Sequence, residues 1–217
     1  MRADARHADL SSVPTAVGDR LCDSVFDRGV VPTRRMLLLG LAGAAAATVA
    51  RADNTVRDLL RQGGVAIAFR HALAPGTFDP EGFRLDDCRT QRNLSDEGRE
   101  QARRIGAWFR AQGLVPARVR SSPWCRCVDT ATLAFGRADV WPALASPRGS
   151  EEAEKPRRMA ALRAALAELP AGRFEAWVTH QFVLQDLAGT STQSAEALVL
   201  RRGRAGGVEI LARATLY

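Results

Sequence analysis

The chain has 217 residues, 46% hydrophobic and 25% charged, with 31 Lys+Arg against 24 Asp+Glu and a net charge of +7. That apolar share excludes a disordered chain, and four Cys exclude a disulfide-dense miniprotein, leaving one domain with an appendage. The basic excess asks for an anionic partner, yet 30 of the 31 basic residues are Arg and only Lys155 is Lys. A mixed Lys/Arg polyanion surface is therefore not indicated, aromatics to stack on bases are few, and no nucleic-acid partner is expected.

Met36 to Ala50 is an uncharged apolar run, preceded by Arg34 and Arg35 and followed by Arg51. It is short of the ~20 apolar residues that span a bilayer as a helix, and it is rich in Ala and Gly. Ala50-Arg51-Ala52 has the small-x-small pattern of a signal-peptidase site, so residues 1–52 read as a cleavable export signal region. Thr33-Arg34-Arg35-Met36-Leu37-Leu38 resembles the twin-arginine export motif, which implies export machinery as a partner and a periplasmic or secreted product without a stable membrane span. The alternative is an uncleaved anchor or a buried helix. Residues 1–32 are long for the front of a signal, so the start is either extended or lies near Val30 or Val31. The working domain is then 53–217, Asp53 to Tyr217. The seven Arg and five Asp of the first 52 residues leave it 24 basic and 19 acidic residues, a net +5.

Asn54 to Gln62 reads as a short helix with Val56, Leu59 and Leu60 on one side, broken by Gly63-Gly64. Val65 to Phe69 is a continuous apolar run, the pattern of a strand buried on both faces, and it runs into Arg70-His71. Pro75 to Pro80 and Gly82 mark a long loop. Ser95 caps a helix with Asp96 and Glu97 in its first turn, Ala102, Ile105, Gly106 and Phe109 at helical spacing, and Gly113 as its stop. Ala117 to Ser121 reads as a strand, Trp124 to Phe135 as a helix, and Ala138 to Trp141 as a short strand. Met159 to Leu169 is an amphipathic helix, and Phe174 to Thr179 is a strand running into His180. Ala195 to Leu200 and Val208 to Arg213 are strands around the Gly203–Gly207 turn. Alternating strands and helices predict a three-layer α/β/α sandwich with a mostly parallel central sheet.

After export, Cys88, Cys125 and Cys127 sit in an oxidising compartment, consistent with one bridge and one spare thiol. Cys125-x-Cys127 lacks the further N/S ligands that a zinc site needs, so no metal or cofactor is expected. The working domain holds only two histidines, His71 and His180, and each follows a predicted buried strand. Ligands of open α/β sheets bind beyond the carboxyl ends of strands, which makes the pair a candidate site. The plain alternative is two structural histidines bonded to loop carbonyls. Arg70 and Arg126 lie close to these strand ends, and guanidinium is a rigid fork suited to phosphate.

Over most of Ala66 to Gly189 the constellation resembles the histidine phosphatase superfamily, the phosphoglycerate-mutase-like proteins. Phe69-Arg70-His71 is similar to the family's Arg-His signature, and Asn93 to Ala102 to its LSxxGxxQA helix start. Ser121 to Ala131 resembles SSxxxRxxxTA, which places the second Arg on Arg126, and Val178-Thr179-His180 resembles the second histidine. The resemblance implies that His71 attacks phosphorus and becomes a phosphohistidine, with Arg70, Arg126 and His180 holding the phosphoryl oxygens and no metal required. It implies a phosphatase acting on a phosphorylated small molecule or a phosphoprotein. Cys88 in the loop and Cys125 beside Arg126 are the candidate bridge at the pocket rim.

The proton donor is less legible. One family branch has an Asp directly after the second His, where this chain has Gln181. Another has a Glu between the second Arg and second His, which points to Glu151, Glu152 and Glu154, whose alternative is a solvated acidic cap on the next helix, with Asp86 and Asp87 as further candidates. Small spacing between the motifs leaves no room for a large cap domain. The competing reading is a non-catalytic phosphate- or anion-binding module that keeps the Arg-His pocket. A mutase would need a retained phosphoenzyme and a substrate foreign to an exported compartment.

Overall fold

A computed structural model describes residues 54–147 and 153–217, so Glu151, Glu152 and the whole export-signal region lie outside the described residues. A helix over 54–62 (α1) precedes β1 (Val65–Arg70), followed by α2 (Asp96–Ala111) and β2 (Arg118–Ser121). The chain continues through α3 (Cys125–Phe135), β3 (Asp139–Val140), α4 (Glu154–Ala167), β4 (Phe174–Thr179) and α5 (Gln181–Ala188). It ends in β5 (Glu196–Arg202) and β6 (Val208–Thr215). The six strands form one sheet in the order β3-β2-β4-β1-β5-β6. The first four are mutually parallel, and β5 and β6 complete the sheet antiparallel, as the mostly parallel expectation requires.

The apolar run of β1 is split by the pleat, which sends alternate side chains to opposite faces. Val65, Ile67 and Phe69 join one core with Val56 and Leu60 of α1, Ile105 and Phe109 of α2, and Ala131 of α3. Ala66 and Ala68 join the other with Met159, Leu162 and Leu166 of α4 and Leu184 of α5. Helices on both faces make the three layers. Among the described residues no helix is long and apolar enough to cross a membrane.

Three of the expected elements have boundaries that move. The helix expected over Met159–Leu169 starts at Glu154 and ends at Ala167, because Pro170 disfavours helical backbone just before it. The last two strands run on to Arg202 and Thr215, because pairing Arg202 with Val208 and Glu196 with Thr215 satisfies their backbone groups.

Candidate active site

Strand register brings the two histidines together. In the parallel β1–β4 pair Arg70 lies opposite Thr179, so His71 and His180 are the next residues of the two strands. The His71 N–H donates to the Thr179 carbonyl at 2.9 Å, and the two rings lie 5.6 Å apart. Strand β2 sits on the other side of β4, with Ser121 opposite Val178, and delivers Ser122 to the same end of the sheet. From there the chain enters α3, whose second residue is Arg126.

The motif residues between the histidines hold the loop after His71. Ser95 caps α2 by accepting from the Gly98 N–H, and its own N–H donates to the Leu73 carbonyl. Gln101 Oε1 accepts from the Leu73 N–H at 3.0 Å. A Cβ on Gly98 would overlap the Leu73 carbonyl oxygen, so glycine is required for helix and loop to approach this closely. Thr130 Oγ1 accepts from the Ala72 N–H at 3.1 Å and donates to the Arg126 carbonyl at 2.7 Å, linking the His71 loop to α3.

The histidine tautomers follow from their partners. The Ala72 carbonyl, 2.8 Å from His71 Nδ1, can only accept, so Nδ1 carries the proton. Arg126 Nε can only donate, and it faces His71 Nε2 at 3.2 Å, so Nε2 carries the lone pair. Arg126 Nη2 donates to His180 Nδ1 at 3.4 Å, which leaves His180 Nε2–H to donate to Ser122 Oγ at 2.7 Å. Burial pushes the His71 pKa down to about 3, and Arg126, Arg92 and Arg70 push the same way. Burial and the neighbouring His71 hold His180 well below its ordinary value. Both rings are therefore neutral near pH 7. Cys127, buried with its Sγ 3.6 Å from His180 Nε2, has its thiol pushed up to about 12 by burial and stays protonated.

The histidines face a cavity of about 310 Å3 lined by Arg70, Arg92, Arg126 and Asp79 among others. Arg126 is buried, and its Nη1 meets Asp79 Oδ1 at 2.7 Å. Asp79 also accepts from the Arg92 N–H at 2.9 Å and Trp124 Nε1 at 3.1 Å. Although desolvation opposes it, these hydrogen bonds and the Arg126 charge hold its carboxyl below the usual range. Arg70 reaches the Thr192 carbonyl at 2.8 Å, and Arg92 Nη1 reaches the Ala74 and Gly76 carbonyls. Burial and mutual repulsion with Arg126 lower the pKa of both arginines, and Nε of each is buried without a partner. Three guanidiniums and one carboxylate leave the described lining with two positive charges in excess. A phosphoryl dianion has the charge and the acceptors to meet them.

Cys88 and Cys125 are joined in a disulfide with their Cα atoms 5.7 Å apart, and Cys127 is a free thiol. The bridge ties the 84–92 loop to the first residue of α3, next to Arg126.

Of the proton-donor candidates, Glu154 pairs with Arg157 on the first turn of α4 and does not line the cavity. The sequence spacing that pointed to it reflects a helix start, where acidic residues are favoured. Asp87 caps a short 3-10 turn and binds Arg84 and Arg89, and Asp86 pairs with Arg84. Neither lines the cavity. Gln181 does. Sequence reasoning missed Asp79, Arg92 and the role of Ser122. Ser122 was inside a recognised motif and Arg92 immediately precedes another, but Asp79 carried only its position between Phe78 and Pro80 as a signal.

The histidine phosphatase superfamily (branch 1) model matches residues 84–148, a segment that includes Arg126 and excludes both histidines. No curated protein matches the chain. Among solved structures, a phosphoserine phosphatase mutant from Entamoeba histolytica in complex with phosphoserine aligns at 13% identity with a TM-score of 0.50, covering 69% of this chain and 95% of that one. The protein histidine phosphatase SixA complexed with tungstate aligns at 18% identity and TM-score 0.46, over 70% of this chain and 96% of that one. A mycobacterial glucosyl-3-phosphoglycerate phosphatase aligns at 14% and 0.48, over 68% and 97%. At 13% identity and a TM-score of 0.50, the likeness to the phosphoserine phosphatase speaks to the fold alone. The matched segment and the four ordered motifs make this part of the chain similar to the histidine phosphatase superfamily.

Proposed function

We propose that the protein is an exported, metal-independent phosphatase that hydrolyses phosphomonoesters or phosphoproteins through a phosphohistidine on His71. The observation that carries this reading is the neutral His71, its unprotonated Nε2 held by Arg126 at the edge of a cavity with an excess of guanidinium. A neutral imidazole is a competent nucleophile without deprotonation. As the Arg126 Nε–H shifts from Nε2 to a phosphoryl oxygen, Nε2 attacks phosphorus and the bond to the leaving oxygen breaks; Arg70, Arg126 and the His180 Nε2–H, turned from Ser122, stabilise the charge on the equatorial oxygens. Water then attacks the phosphohistidine, releasing phosphate and restoring the imidazole. Side-chain cations supply the charge that a metal would otherwise provide. For the proton taken up by the leaving oxygen, Glu151 and Glu152 stand as the proposed donors.

Export is supported by the twin-arginine-like segment before Met36, the Ala50-Arg51-Ala52 site and the Cys88–Cys125 bridge, since disulfides persist in oxidising compartments. N-terminal sequencing of the product in its native compartment should give a chain starting at Asp53. The alternative of a non-catalytic anion-binding module is separated by turnover. Sustained p-nitrophenol release from p-nitrophenyl phosphate, lost in His71→Ala, supports the phosphatase. Phosphate binding without turnover supports the module.

A further inference from the structure

Among the described residues two phenylalanines are exposed, Phe78 at 52% and Phe182 at 42%, and both line the cavity that holds His71. They come from different parts of the fold. Phe78 lies in the loop after β1, next to Asp79, which positions Arg126; Phe182 is the second residue of α5, two residues after His180. Each ring is thus tethered within one or two residues of a group that faces the phosphoryl position. A third ring, Phe83, half-buried against Trp124, also lines the cavity. Single exposed apolar side chains are ordinary, but rings converging from two elements on one charged cavity mark a binding surface.

We infer that Phe78 and Phe182 form a subsite for an aromatic leaving group, so that the substrate class is aryl phosphomonoesters. The inference rests on the phosphatase reading for its chemistry and on the ring placement for its specificity. An arginine-lined floor takes the phosphoryl group, and the aromatic rim takes the organic part in offset or edge-to-face contact. The cavity volume of about 310 Å3 is at the small end for a ligand site, which suits a phosphoryl group with a single ring. The chemistry agrees with the surface, because a phenol ionises near pH 10 and its oxide departs with less help from an acid than an alkoxide does.

The test uses ligands that cannot turn over. Dissociation constants for benzylphosphonate and methylphosphonate are measured calorimetrically on the full chain, Phe78→Ala, Phe182→Ala and the double variant. The benzyl compound should bind the parent protein about tenfold more tightly or better, a gain set by the ring area buried. That ratio should fall towards one in the double variant while methylphosphonate and inorganic phosphate bind as before. Both rings are about half exposed, and an unchanged Tm verifies that the variants keep the fold. Equal binding of the two phosphonates by the parent, or an unchanged ratio in the double variant, overturns the subsite. Ring-dependent binding with no turnover of any phosphate ester would keep the subsite and overturn the phosphatase reading instead.

Discussion

The Nε–H of Arg126 points at the Nε2 lone pair of His71 across 3.2 Å. A guanidinium cannot accept a hydrogen bond, so this contact fixes which imidazole nitrogen is free of a proton. The Ala72 carbonyl fixes the other from behind the ring. The same guanidinium reaches His180 and Asp79, so one buried arginine organises both histidines and the single carboxylate of the described cavity.

Acid sensitivity follows from the low pKa of His71. Its ordinary value is 6.5 and its folded value about 3. Above pH 6.5 both states are neutral and the group contributes no pH dependence. Below it the unfolded chain takes up a proton that the folded protein refuses, so stability falls as the pH drops from 6.5 towards 3. Urea midpoints measured across this window should fall more steeply in the parent than in His71→Gln; parallel curves would contradict the assignment. Loss of the nucleophile by protonation should not limit activity between about pH 7 and 5.

Asp79 acts through Arg126. Asp79→Asn keeps the shape but removes the charge that aims the guanidinium. We expect kcat to fall about tenfold or more through misalignment, with no rise in KM, because the cavity becomes more positive. A rise in KM at constant kcat would show that Asp79 serves substrate binding instead.

Gly98 and Thr130 hold the loop that follows His71. Gly98→Ala drives a methyl into the Leu73 carbonyl and should cost about 1–3 kcal/mol. Thr130→Val leaves the Ala72 N–H unpaired and should cost about 1–3 kcal/mol. Thermal or urea melts read both, and melts indistinguishable from the parent would show that the loop relaxes freely.

The Cys88–Cys125 bridge spans 37 residues, for which loop-closure entropy gives about 4 kcal/mol at most. Cys88→Ser should lower stability by about 2–4 kcal/mol and lower Tm by several degrees. Cys127→Ser should leave the bridge intact. An unchanged Tm in Cys88→Ser would show that the bridge constrains little.

The parts of this site legible in the sequence are those fixed by local pattern. The apolar runs before His71 and His180 announced strands, and a parallel pairing of them put both histidines at one sheet end. Arg126 was legible because its motif sets its spacing from the strand end. Asp79 was not, because its partner is 47 residues away and its loop has no periodicity. Arg92 was hidden by the abundance of arginine, which makes any one of them unremarked. Glu154 takes the alternative role of an acidic helix cap, because an acid expected by spacing is also what a helix start favours.

In the proposed reaction His71 carries the phosphoryl group between substrate and water. The direct measurement is rapid acid-free quenching of the protein with an aryl phosphate, followed by peptide mass spectrometry. One acid-labile phosphoryl group is expected on the peptide containing His71, absent in His71→Ala together with turnover. Turnover retained by His71→Ala, or a phosphoryl group trapped on another residue, would contradict it.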